Sequence, residues 1–136
     1  MTDPHDFSGS WTIDAETRMQ LRVQRIEKSI ASCDLTGAVV EAEELLDEQP
    51  NHPVALRLLA GCLLDLGDAL GALHVYKHLT ALGAVDFDLI LQTATAAYEA
   101  CELELCIEIT EQLIAERPDC GEAHFYRGLC LERMPK

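Results

Sequence analysis

The chain has 136 residues, 24 acids against 10 lysines and arginines, a formal net charge of -14, and 49% hydrophobic residues. An acidic excess of this size opposes phosphate backbones and anionic lipid surfaces, so no nucleic-acid and no membrane partner is expected. The length suits one domain that buries its own core, and six cysteines without a Cys-x-x-Cys pair fit reduced thiols in the cytoplasm better than a disulfide framework or a zinc site.

The opening MTDPHDFSGS is polar and acidic, unlike a signal peptide, and residues 1–18 show no hydrophobic period. They are expected to form an N-terminal tail, partly disordered or docked on the remainder through Phe7 or Trp11. From Met19 the pattern changes. Met19, Val23, Ile26 and Ile30 fall at i, i+4, i+7 and i+11, which is one face of a helix. Cys33-Asp34 ends it, and similar breaks follow at Gly67-Asp68 and Cys101-Glu102, 34 residues further on each time. Glycine accepts positive φ where a helix stops and aspartate caps the next one, so LDLGDALGALHVYKHL, Leu64 to Leu79, reads as a helical hairpin.

Other landmarks keep the same step. A small residue follows each break at Ala38, Ala72 and Cys106, where two helices must approach closely. Leu45-Leu46, Leu79-Thr80 and Leu113-Ile114 come next, and each unit closes at Pro50, Ala84 or Pro118. In the first helices Leu56 matches Ile90, Leu63 matches Ala97, and small residues recur at Ala60, Ala94 and Gly128. The most apolar stretch, Val54 to Tyr76, is broken by Arg57, Asp65 and Asp68 and is no membrane span. The last helix, within 121–134, has no second helix after it to cover Leu131.

Chemistry-bearing residues are sparse. Cys33 and Cys101 occupy turns, Cys106 a small-residue position, and no histidine and acid partner stands at a nucleophile spacing. His74 and His78 share a helix face as a metal pair would, but lack a third ligand and the Glu of a His-Glu-x-x-His motif. Glu41, Glu44 and Glu48, like Glu104, Glu108 and Glu111, read as solvated faces of second helices. No catalytic residue, metal or cofactor is expected.

The 34-residue period of helix, turn and helix resembles the tetratricopeptide-repeat (TPR) family over Met19 to Pro135. Residues 19–52, 53–86 and 87–120 would be three repeats and 121–134 the first helix of a fourth, in one domain spanning 19–136. Residues 53–86 match best, with Leu59-Ala60, Leu63, Gly67-Asp68, Ala72, Tyr76 and Leu79 in place. The large aromatic that often opens a repeat is missing, with Arg22, Leu56, Ile90 and His124 there instead. Arg22, Arg25 and Ser29 make the outer face of the first repeat polar, as suits a cap. The resemblance implies an all-α fold, a right-handed superhelix of antiparallel helix pairs whose first helices line a concave groove that binds peptide segments or partner helices.

Carried over residue by residue, the groove-facing register implies three rows. They are Val23, Arg57, Leu91 and Phe125; then Glu27, Gly61, Thr95 and Leu129; then Ile30, Leu64, Tyr98 and Glu132. Some family members clamp a peptide's C-terminal carboxylate with lysine and asparagine in these rows. Val23 and Glu27 stand at those places here, and Glu27 would repel a carboxylate, so no clamp is expected. The groove would offer apolar anchors at Val23, Ile30, Leu64, Leu91, Tyr98 and Phe125, a polar Thr95, one cation at Arg57, and a gap at Gly61 for a ligand backbone.

The expected function is a non-catalytic interaction module that binds an apolar peptide segment or amphipathic helix of a partner protein. In size and charge the chain is similar to the TPR chaperones of type III secretion, so a secretion-type chaperone or adaptor is the narrower form of this reading. The alternatives are a self-associating, homo-oligomeric scaffold joined by end-to-end or groove contacts and, more remotely, a metal- or thiol-dependent enzyme.

Overall fold

The computed structural model describes residues 14–83 and 85–135; Phe7, Trp11 and Ala84 lie outside the described residues. Among those described are seven α-helices and no strand: α1 (Ala15–Ala31), α2 (Leu35–Glu48), α3 (Pro53–Asp65), α4 (Ala69–Ala81), α5 (Phe87–Glu99), α6 (Leu103–Glu116) and α7 (Gly121–Arg133). The starts of α2, α4 and α6, and those of α3, α5 and α7, are 34 residues apart. α1 departs from the expected start at Met19. It begins at Ala15, inside the stretch expected to be tail, because Asp14 accepts a hydrogen bond from the Thr17 backbone N–H at 2.7 Å and caps it.

Each hairpin turns in the same way. Cys33, Gly67 and Cys101 have φ of 63°, 91° and 63°, and the N–H groups of Asp34, Asp68 and Glu102 donate to the carbonyls of Ser29, Leu63 and Ala97 at 2.8 Å in all three. Asp34 and Asp68 then accept from the Gly37 and Gly71 N–H groups at 3.0 Å. A Cβ at either glycine would run into the capping carboxylate. In the third hairpin Leu105 holds that position and Glu102 makes no side-chain cap bond, so among these three hairpin turns the aspartate cap and the glycine occur together.

Small residues let the pairs close. Ala38, Ala72 and Cys106 are fully buried, and so are Leu45, Leu79 and Leu113 about two turns further along the same face. Ala60 and Ala94 are buried in the same manner, whereas Gly128 is exposed, with nothing within 4 Å of where its Cβ would stand. Tyr76 is the largest fully buried side chain. Its hydroxyl donates to Gln92 Oε1 at 2.8 Å, which satisfies the one polar atom it takes into the core, and burial pushes the phenol up to about 12. One cluster of core residues joins α1 to α3 and another joins α3 to α7. Leu46, Leu63 and Val75 pack on both and make the core continuous.

Two expectations follow. Ala72→Leu should overpack the α3–α4 crossing and destabilise the protein by roughly 1 to 3 kcal/mol in urea unfolding; wild-type stability would show that the crossing has slack. Cys33→Gly should stabilise by about 0.5 to 1 kcal/mol, since glycine holds positive φ without the Cβ penalty, and Gly67→Ala should cost a similar amount. Opposite signs for the two variants are the check.

Candidate functional site

Each first helix is antiparallel to the second helix beside it, so α1, α3, α5 and α7 run in one direction. Besides chain neighbours, the helices that pack together are α1 with α3 and α5 with α7. These four helices make one layer, the inner one of the expected superhelix, and the positions expected to face a groove lie on them.

Those positions are not equivalent. Val23 is 9% exposed and packs with Met19 and Ile26 in the core, so it is a floor and not a free anchor. Ile30, Leu64, Leu91 and Tyr98 are half-buried, each showing part of its side chain, while Phe125 is 59% exposed. Phe125 and Tyr98 meet through Tyr126, with ring centroids 5.5 Å and 5.6 Å apart, forming an aromatic wall between α5 and α7. The Arg133 guanidinium lies 5.1 Å above the Tyr98 ring and closes one side of it. Gly61 faces open space, and a Cβ at this position would meet no atom within 4 Å.

The polar positions are partly engaged within the chain. Thr95 donates to the Leu91 carbonyl at 3.1 Å. Arg57, expected as the central cation, forms an ion pair with Asp86, which also caps α5 by accepting from the Leu89 N–H at 2.8 Å. The Leu89 N–H and then the Arg57 guanidinium hold the Asp86 carboxyl below the usual carboxylate range. Arg57 thus joins α3 to the start of α5 and is not a free cation in the groove.

Between α1 and the start of α3 opens a cleft of about 610 Å³ whose lining includes Glu16, Met19, Val23, Glu27, His52 and Val54. The groove register points to Val23 and Glu27 but misses Glu16, because the N-terminal part of α1 lies where a tail is expected. Asp14, with Thr17 three residues on, is the sequence signal for that extra turn. A second cleft of about 340 Å³ lies between α4, α5 and α6, lined by Lys77, Val85, Ile90, Leu105 and Ile109 among others. Its walls come from three helices, so no local pattern announces it.

The thiols and imidazoles are dispersed. Burial raises the Cys62 thiol and, with the neighbouring Cys130, pushes Cys106 up to about 12, which disfavours the nucleophilic thiolate. His78 Nε2 lies 3.1 Å from Asn51 Oδ1, and His74 is exposed. Among the described residues no group of three or more His, Cys, Asp or Glu could hold a metal ion, and no helix is long and apolar enough to cross a membrane.

No family model and no curated protein matches the chain. Solved structures do. MamA from Desulfovibrio magneticus RS-1 matches with a TM-score of 0.75 at 18% identity, over 83% of this chain and 64% of that one. The first TPR of Spaghetti (RPAP3) bound to the HSP90 peptide SRMEEVD matches with a TM-score of 0.74 at 15% identity, over 90% and 97% of the two chains. YrrB, described as a TPR protein with an unusual peptide-binding site, matches with a TM-score of 0.71 at 14% identity, over 81% and 57%. The chain thus spans less than two thirds of the length of the MamA chain. At these identities the likeness speaks for the fold, and the chain has the fold of the tetratricopeptide-repeat proteins, an α-α superhelix of antiparallel helix pairs.

Proposed function

We propose that the chain is a protein-interaction module whose inner wall binds an apolar segment of a partner, extended or as an amphipathic helix, in the manner of an adaptor or secretion-type chaperone. One observation carries this reading: Leu64, Leu91, Tyr98 and Phe125, from three successive first helices, leave apolar surface open along one wall beside the gap at Gly61. Peptide binding by the Spaghetti TPR and the peptide-binding site ascribed to YrrB support it by analogy of fold. The pushed-up Cys62 and Cys106 thiols count against a thiol-dependent enzyme.

A second reading rests on Leu131, 47% exposed on α7, which suits self-association of this helix with another copy.

Leu91→Glu should leave the circular dichroism spectrum and unfolding midpoint close to wild type and remove partners captured at native expression. Loss of one apolar anchor corresponds to roughly 1.5 to 3 kcal/mol, or about 10- to 150-fold in affinity. An unchanged set of captured proteins on a folded variant would refute the groove. For the second reading, light scattering of the purified protein should grow with concentration and fall back in Leu131→Glu; a constant small species removes it.

A further inference from the structure

Because the four first helices run in one direction, their C-terminal ends lie along one edge of the inner wall. Each end carries a partial negative charge from its aligned peptide dipoles. Acids are added there. Asp65 is the last residue of α3, Glu99 the last of α5 and Glu132 the last but one of α7, and all three are exposed. A carboxylate at a helix C-terminus is disfavoured by the dipole, so this placement does not serve helix stability. Among the described residues none of the three has an ion-pair partner.

The cations near this wall are few or engaged. Lys28 and Arg133 are the basic residues in the last turns of α1 and α7, and α3 and α5 have none there. Arg133 is drawn inward over Tyr98 and donates to Cys101 Sγ at 3.4 Å, while Arg57 is held by Asp86. At the other end of the wall, the α1–α3 cleft sets Glu16 and Glu27 beside Met19, Val23 and Val54, with no lysine or arginine among the described residues of its lining. An apolar wall bordered by unpaired acids matches one kind of ligand.

Resting on the groove reading above, we propose that the segment bound there is cationic and amphipathic. Its apolar side chains meet Leu64, Leu91, Tyr98 and Phe125, and its lysines or arginines lie along the edge of Asp65, Glu99 and Glu132. Long basic side chains suit both demands, since their methylene stems cover apolar surface while the charged heads reach the rim. A segment rich in carboxylates meets like charge along the same edge.

The test uses the full chain and fluorescence anisotropy with a labelled amphipathic peptide of leucine and lysine, against the same pattern with glutamate in place of lysine. The Leu/Lys peptide should bind at least about tenfold tighter at low salt and weaken as salt screens the exposed charges. The triple variant Asp65→Asn, Glu99→Gln, Glu132→Gln should lose about tenfold in affinity for it. A control removing equal charge from second helices, Glu43→Gln, Glu44→Gln, Glu104→Gln, should change it by less than about twofold. Equal losses in the two triples, or a Leu/Glu peptide that binds as tightly, overturn the proposal. Leu91→Ala separates the two claims: if it abolishes binding of a Leu/Glu peptide that binds well, the groove stands and the cationic preference falls. If Leu91→Ala leaves Leu/Lys binding untouched, groove and preference fall together.

Discussion

The close approach of each second helix to the first helices beside it is the constraint on which the rest of the molecule depends. Ala38, Ala72 and Cys106 sit at that approach, fully buried, and a much larger side chain there is expected to spread the pair. Because the same small position returns every 34 residues, successive hairpins stack in a repeated way and the first helices stay parallel on one side. The inner wall is a consequence of this packing. No residue of the wall has to specify it.

That parallel arrangement has an electrostatic result. The C-terminal ends of the first helices share one sign along this edge, the N-termini of the paired second helices offset part of that charge at the same end, and Asp65 and Glu99 leave the edge negative. The ion pairs between elements follow a different logic. Arg22 with Glu48, at 2.6 Å, ties α1 to the end of α2, and Arg57 with Asp86 ties α3 to the start of α5. Both are solvent-accessible and worth at most about 1 kcal/mol each in stability, so their weight lies in orientation. Arg117, 3.9 Å above the Phe87 ring, acts similarly between the end of α6 and the start of α5.

Much of the fold was legible because its cues are local. The turns at Cys33, Gly67 and Cys101 and the acids that follow them mark helix ends through backbone conformation and capping, which depend on a few adjacent residues. Pro50 and Pro118 likewise follow α2 and α6 by two residues. The start of α1 was less legible, since Asp14 opens a polar first turn that carries no hydrophobic period. The candidate wall was legible as a register and not as a surface. Val23 and Leu91 occupy equivalent places in that register, yet one lies in the core and the other stays half-open.

The amino-acid sequence alone determined the helices, their order and the 34-residue step between hairpins, because capping, positive-φ turns and hydrophobic periodicity act within one or two helical turns. Only the tertiary structure decided which groove positions keep open surface, that Arg57 is taken up by Asp86 29 residues away, and that Tyr98, Tyr126 and Phe125 join into one wall. Those outcomes depend on how whole helices pack. A side chain's exposure and its partner are set by what the neighbouring hairpin places against it, and no residue's own surroundings in the chain contain that information.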